Sequence, residues 1–343
     1  MIPFAPLATE RLVLRPFAPD DVPLFHRRRT DPDVARYMNY TLPFPLERAE
    51  RIVRDCIALG GPANDEWWNG MLTLAASGDP VGDVAVHLTN DARTAEIGYT
   101  IDPPHQGCGY AIEAVASVVD RLFDEVGVTR VSATLHPDNV ASAQVLERTG
   151  FLYEGHLRRS CWVGGDNQDD LIYGLPAADR TAWRTRNTAP ARTVRLVEIT
   201  PENVYAVRAL KTHHSQTGFV SAVTESLADA LMPELVDGAP VDPWFRAIEA
   251  DGELAGFLMV AEVTPHHPEP FLWRLLVDRL HQRRGIAGKA LDLLEARLRR
   301  DGATTLLTSW GEGRGSPGPF YLARGFEPTG QQVDAETEAR KRL

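Results

Sequence analysis

Two short stretches of this chain have the residue types that can hold a phosphate: residues 106–111, Gln-Gly-Cys-Gly-Tyr-Ala, and residues 282–287, Gln-Arg-Arg-Gly-Ile-Ala. Both read Gln-x-x-Gly-x-Ala. A turn built round small residues lets consecutive main-chain N–H groups converge, and a helix starting behind it adds the partial positive charge of its N-terminus. Together they make a seat for a pyrophosphate. Gly109 and Gly285 supply the close backbone approach. One such turn is weak evidence, since many strand-to-helix connections carry a glycine; two in matched surroundings weigh more.

The surroundings do match. Each loop is followed by an amphipathic stretch, with Ile112, Val115, Val119, Leu122 and Phe123 at helical spacing before Gly127, and Leu291, Leu294 and Leu298 before Gly302. Each is preceded by an aspartate four positions back, Asp102 and Asp278, and followed by a Gly-Phe pair, Gly150-Phe151 and Gly325-Phe326. Gln106 and Gly150 stand 44 positions apart, Gln282 and Gly325 43 apart. A fixed period between matched landmarks marks a duplicated unit, here far longer than a solenoid repeat.

The elements that must position these loops are short strands. Residues 73–76 and 81–88 flank a Ser-Gly-Asp-Pro turn, and 96–101 and 131–135 follow; the second copy repeats the order with 245–250, 254–261, 271–277 and 305–309. Strands with interleaved helices predict a mixed α/β sheet (α+β) in each copy. At 343 residues two domains are expected, residues 1–176 and 192–343, joined by a proline-bounded, arginine-rich linker at 177–191.

A dinucleotide fold would place its glycine fingerprint after the first strand, with an acidic residue about 20 positions later. Here three or four strands come first. The loops, after strands ending Ile101-Asp102-Pro103 and Val277-Asp278-Arg279, resemble the GNAT superfamily of acyl-CoA N-acyltransferases, over about residues 7–176 and 192–343. The first copy resembles the branch of ribosomal-protein N-terminal acetyltransferases through residues 10–15 (Glu-Arg-Leu-Val-Leu-Arg), 96–99 (Glu-Ile-Gly-Tyr) and 139–142 (Asn-Val-Ala-Ser). The second is similar to small-amine and polyamine-type acetyltransferases through residues 273–278 and 320–326.

The resemblance implies acetyl-CoA (coenzyme A) with its pyrophosphate on Gln106, Gly107, Cys108, Gly109, Tyr110 and Ala111 in one copy. In the other it falls on Gln282, Arg283, Arg284, Gly285, Ile286, Ala287 and Gly288. Main-chain groups up to Ile101 and Val277 would polarise the thioester carbonyl, and Asn139 would touch the pantetheine arm. The second copy has Gly313-Arg314-Gly315 where an asparagine would stand.

Acyl transfer to nitrogen needs a neutral amine, a stabilised oxyanion and a proton for the departing thiolate. Tyr321, four residues before Gly325, matches the family's tyrosine acid; the first copy has Leu146 there and offers Ser142 instead. A core aromatic and a helix cap are the alternative readings of these two residues. Glu96 is the candidate base of the first copy, with a strand-edge salt bridge as its alternative, and no base is assigned in the second, where Leu272 matches Glu96. A carboxylate that serves the ribosomal-protein branch would fall near Cys161, so the first copy is expected to prefer an amine of low pKa.

Composition narrows the partners. A net charge of −11 disfavours nucleic acid and favours a cationic acceptor: a small-molecule amine or a peptide N-terminus. No apolar window approaches the roughly 18 residues of a membrane span, and a cytoplasmic location is expected. Three scattered cysteines suit neither a disulfide framework nor a zinc site, and the pairs His213-His214 and His266-His267 lack metal-binding spacing, so no metal is expected. The competing class is a regulatory protein that holds acyl-CoA in one or both copies without turnover.

Overall fold

The computed structural model describes residues 4–163, 165–236 and 238–343. The chain divides into two units, Met1–Arg184 and Thr185–Leu343.

The first unit is one eight-stranded sheet: β1 (Leu7–Ala8), β2 (Leu12–Pro16), β3 (Trp67–Leu74), β4 (Pro80–Thr89), β5 (Thr94–Ile101), β6 (Arg130–Leu135), β7 (Leu152–Val163) and β8 (Asp166–Pro176), in the order 1-2-3-4-5-6-8-7. Every neighbouring pair is antiparallel except β5 and β6, which run parallel. Side chains alternate between the faces of a strand. Leu72 therefore faces α4 (Tyr110–Arg121) and α5 (Val140–Arg148), where it joins Val115, Val119 and Leu146. Met71, next to it, faces α1 (Val22–Thr30) and α3 (Leu46–Leu59), joining Phe25 and Val53; the short α2 (Pro32–Ala35) lies between those helices in sequence.

The second unit is a seven-stranded sheet of β9 (Val194–Val197), β12 (Pro243–Ala250), β13 (Glu253–Ala261), β14 (Phe271–Val277), β15 (Thr305–Trp310), β16 (Glu327–Val333) and β17 (Glu336–Arg342), with a separate two-stranded ribbon of β10 (Leu235–Val236) and β11 (Ala239–Pro240). Its order is 16-17-15-14-13-12-9, and only β14 and β15 are parallel. Leu258 and Val260 pack with Leu291 and Leu294 of α9 (Ile286–Arg300), and Tyr321 of α10 (Gly318–Ala323) belongs to the same cluster. Phe257 and Met259 point the other way, to Val207 of α7 (Val204–Arg208) and Val223 of α8 (Val223–Leu231).

Two of the repeated landmarks, and a further glycine pair at matched positions, have physical causes. The Gly-Phe pairs end a helix and pin the next strand: Gly150 (φ 99°) and Gly325 (φ 86°) turn left-handed. The amides of Phe151 and Phe326 reach back to the carbonyls of Leu146 and Tyr321 at 3.0 and 3.1 Å, a Schellman-type stop whose phenyl rings are buried. Gly82 and Gly256 allow a close strand approach, since a β-carbon would lie 2.2 Å from the Thr100 carbonyl oxygen in one unit and 2.3 Å from that of Leu276 in the other. Asp102 and Asp278 tether the loop entrance, the first to the Arg28 guanidinium (2.5 and 3.0 Å), the second to the Lys211 amide (2.8 Å).

Some elements differ from the expectation. The strand expected at 73–76 is β3, which begins at Trp67 and ends at Leu74; Trp68 is buried and Trp67 exposed, as alternation requires. The helix after residue 109 closes through a wide turn, Leu122–Val126, before Gly127 (φ 83°). Part of the stretch expected as a linker forms α6 (Ala177–Thr185), whose Arg180 and Arg184 bind Asp120 of α4 at 2.9 and 2.6 Å.

Candidate functional site

The parallel pair at the centre of each sheet is joined only at one end. β5 and β6 pair from Thr94↔Arg130 to Glu96↔Ser132, and β14 and β15 only at Phe271↔Leu307 and Leu272↔Thr308. Beyond those residues the strands separate, leaving main-chain groups of residues 97–101 and 273–277 without a parallel partner. A splayed parallel pair opens a slot in which an extended ligand can bond to the backbone as a strand would.

Each Gln-x-x-Gly-x-Ala loop sits just after the end of β5 or β14. The Gln106 side-chain amide donates to the Ile101 carbonyl (3.0 Å) and that of Gln282 to the Val277 carbonyl (3.1 Å), so the glutamine ties the loop to the strand it leaves. Gly109 (φ 82°) and Gly285 (φ 76°) are the N-caps of α4 and α9, and neither helix start has a side-chain cap. The first amides of both helices therefore have no side-chain cap, the arrangement that takes an anion. A β-carbon at Gly285 would meet nothing within 4 Å, and one at Gly109 only the end of the Arg11 side chain, at 3.4 Å. The residues present fit a diphosphate held by main-chain N–H groups.

The two loops differ in detail. Arg283 adopts φ 66° where the first unit has Gly107 at 77°, a left-handed conformation that costs a non-glycine residue about 1–2 kcal/mol. Its side chain is exposed at the cleft. The Arg284 side chain turns away from the loop: it is buried, bonded to Asp251 (2.7 Å), the Ala189 carbonyl (2.9 Å) and His281 (3.1 Å), so only its main chain remains for a ligand. Ile286 is buried in the core, and with Ala287 and Gly288 it lines the cleft.

In the first unit the loop has a clamp that the sequence pattern did not single out. Arg11 donates to the Cys108 carbonyl (2.9 Å) and to Glu113 of α4 (2.7 Å), and its guanidinium lies 4.9 Å from the Tyr110 ring centroid. Burial pushes the Glu113 carboxyl up, but hydrogen bonds from Thr9 and Arg11 outweigh it and hold its pKa below the usual range. The signal was present in Arg11 and Glu113, but only the pairing of β2 with α4 brings them together.

Ser142 and Tyr99 meet across the first unit's slot, their hydroxyl oxygens 2.8 Å apart, and the Tyr99 hydroxyl lies 3.0 Å from the Ser142 carbonyl. Burial drives the Tyr99 pKa far up, and the bond to Ser142 offsets only part of that. Asn139 is the N-cap of α5, its side chain accepting the Ser142 amide (3.1 Å), so it is engaged in shaping the turn. Glu96 is the last residue paired before the splay, half-buried, opposite His87 on β4, and no Lys or Arg among the described residues pairs with it. Cys161 lies on β7, its thiol pKa raised by burial and by Asp170.

The second unit has a cleft of about 1110 Å³ that runs from the loop past the splay, lined by Trp273, Arg274, Arg283, Thr308, Tyr321 and Glu336 among others. Tyr321 is both a core residue, stacked on Trp310 with centroids 5.7 Å apart, and a wall of this cleft. Burial lifts its phenol to about 12, a bond to Thr308 pulling it down and the charge of Glu336 pushing it up. It is therefore a neutral hydrogen-bond donor at any physiological pH. Among the described residues no group of three or more His, Cys, Asp or Glu could hold a metal, and no helix is long and apolar enough to cross a membrane.

Comparison with known proteins agrees with this geometry. The "Acetyltransferase (GNAT) domain" profile matches residues 11–152, and the "Acetyltransferase (GNAT) family" profile matches residues 205–325. The uncharacterised N-acetyltransferase YoaA of Bacillus subtilis is 30% identical over 173 residues, which is 50% of this chain and 97% of that protein. The uncharacterised N-acetyltransferase p20 of Bacillus licheniformis is 30% identical over 155 residues, 44% of this chain and 85% of its own length. A solved structure of Mycobacterium smegmatis RimJ in complex with CoA-disulfide shares 26% identity over 49% of this chain and 83% of its own, with a TM-score of 0.43. A relative matched along nearly its whole length by half of this chain carries the unit once. The chain belongs to the GNAT family of N-acetyltransferases and carries two of its domains in tandem.

Proposed function

We propose that the chain transfers the acetyl group of acetyl-CoA to a primary amine of a small molecule or a peptide N-terminus by direct attack on the thioester. The two modules are the units Met1–Arg184 and Thr185–Leu343. The observation that carries this reading is the cleft of the second unit, which joins the anion-binding loop at residues 282–288, the open edge of β14 and the Tyr321 hydroxyl in one continuous space.

The protein's residues have three tasks. Main-chain amides of residues 106–111 and 282–288 hold the diphosphate of the coenzyme, which supplies the activated acetyl group. Amides on the open edges of β5 and β14 polarise the thioester carbonyl, an oxyanion-hole contribution worth about 2.7–4 kcal/mol per donor. Tyr321 in the second unit, and Ser142 backed by Tyr99 in the first, present a hydroxyl to the departing sulfur.

The second unit's likeness to small-amine enzymes supports a small cationic acceptor there. The first unit, with Cys161 where its relatives' branch has a carboxylate, takes an amine of low pKa, such as an α-amine. Release of free thiol from acetyl-CoA with a panel of amines tests the reading, run on the intact chain beside Tyr321→Phe and Ser142→Ala. Amine-stimulated release that falls at least tenfold in one variant supports it. Tight coenzyme binding with no stimulated release by any amine identifies a binding protein instead.

A further inference from the structure

No acceptor-side residue is assigned in the second unit, yet one carboxylate stands at the working end of its cleft. Glu336, the first residue of β17, bonds to the Ser309 hydroxyl of β15 (2.5 Å), beside Thr308 and Tyr321, and all four line the cleft. Its charge is felt at the Tyr321 phenol. Among the described residues no Lys or Arg side chain pairs with it, whereas Asp229 in the same cleft is paired with Arg274 at 3.2 Å.

The strand register gives a second, independent observation. The ladder between β15 and β17 ends at Trp310↔Thr337, and the corresponding ladder between β6 and β8 ends at Leu135↔Leu171. Glu336 and Asp170 are each the residue just before that last pair, so both units place a carboxylate at the same point. Each accepts a serine hydroxyl, Asp170 from Ser160 at 2.7 Å. Different serines, from different strands, hold the two acids.

We infer that Glu336 receives the acceptor amine in the second unit and serves as its base. This rests on the reading of that unit as an acetyltransferase. The carboxylate pairs with the ammonium, then takes one of its protons, directly or through the Ser309 hydroxyl. The neutral nitrogen attacks the thioester carbonyl carbon, the C–N bond forms and the C–S bond breaks. The second nitrogen proton ends on the sulfur, and the proton on Glu336 returns to solvent. Tyr321 and Glu336 thus divide the work, one facing the leaving sulfur and the other the entering nitrogen.

The test uses the intact chain carrying Ser142→Ala, with 1,4-diaminobutane as acceptor, and compares Glu336→Gln, Glu336→Asp and Tyr321→Phe. Glu336→Gln is expected to lower kcat/KM by about 10²- to 10⁴-fold, the contribution of a positioned base. Coenzyme affinity, read by calorimetry, stays within twofold, and Glu336→Asp recovers part of the loss. The deficit shrinks as pH rises toward the amine's own pKa of about 10.4, because solution then removes the proton; a purely structural role would not produce that dependence. Thiol release that falls in Tyr321→Phe but is unchanged in Glu336→Gln overturns this inference alone. No amine-stimulated release in the Ser142→Ala parent, with coenzyme still bound, removes the catalytic reading of the second unit and this inference with it.

Discussion

The Tyr99 and Ser142 hydroxyls lie 2.8 Å apart, one on the strand that opens the slot of the first unit and the other in the first turn of the helix beside it. The pair makes the serine more than a helix residue: its hydroxyl is oriented by a buried phenol that keeps its proton. Ser142→Ala leaves Tyr99 the Ser142 carbonyl at 3.0 Å as acceptor, so the stability cost should stay within about 1 kcal/mol. Tyr99→Phe removes the phenol from both interactions and should cost about 1–2 kcal/mol. Urea unfolding gives the stabilities, and thiol release in a Tyr321→Phe background gives activity, which should fall at least tenfold in both variants.

Gly82 and Gly256 should be intolerant of a single methyl group. The obstacle in each case is a carbonyl oxygen of the neighbouring strand, at 2.2 and 2.3 Å from the added carbon, and main chain cannot rotate away. We expect Gly82→Ala and Gly256→Ala each to destabilise its own unit by about 1–3 kcal/mol or more, the range for overpacking. Hydrogen exchange on β4–β5 and on β13–β14 locates the effect.

Arg283 presents a trade between strain and charge. Arg283→Gly relieves a left-handed conformation (φ 66°) and should stabilise the second unit by about 1 kcal/mol. It also removes an exposed guanidinium from the loop. Coenzyme affinity there should fall about three- to tenfold at low salt, with the difference shrinking as salt rises. Calorimetry at two ionic strengths reads both changes.

Burial holds Tyr321 neutral to about pH 12, against an ordinary phenol near 10. The folded form keeps its proton where the unfolded form has lost it, so the stabilisation is complete below pH 10 and is lost as pH rises from 10 to 12, at about 1.4 kcal/mol per unit. Alkaline unfolding of Tyr321→Phe should lack this component. The activity of the second unit should show no loss from phenol ionisation between pH 8 and 10.

The first unit's acceptor preference predicts a trend. The Ser160–Asp170 pair is exposed where Ser309–Glu336 is part-buried, and with Cys161 beside it the first unit has no positioned base, so the fraction of free amine limits the rate and kcat/KM at pH 7 should fall as amine pKa rises from about 8 to about 10.4. A series of primary amines in a Tyr321→Phe background measures the slope, and a rise with pKa contradicts the assignment.

What was legible in the sequence is what the backbone demands locally. The loops and the Gly-Phe stops each answer to a turn, a positive φ or a main-chain bond within a few residues, so their spacing survives in both copies. Arg11 with Glu113, Tyr99 with Ser142 and Glu336 with Ser309 were not legible as pairs. Their partners are between 27 and 102 positions away, and only strand register and helix packing bring them together. Arg284 shows the converse: its place in the motif suggested a phosphate contact, but Asp251, fixed in the turn between β12 and β13, holds its side chain. The expected strand at 73–76 missed the start of β3 at Trp67 because the polar residues before the tryptophans conceal it.

The most direct test of the central claim, that each loop holds a coenzyme diphosphate on uncapped helix amides, is calorimetric titration of coenzyme A into the intact chain and into Gly109→Asp and Gly285→Asp. Aspartate tolerates a left-handed backbone, and its carboxylate puts a negative charge beside the amides that would hold the phosphate. The account predicts two binding sites in the parent, one lost in each variant, with the fold of both variants intact. No uptake by the parent at millimolar coenzyme, or unchanged uptake in both variants, would contradict it.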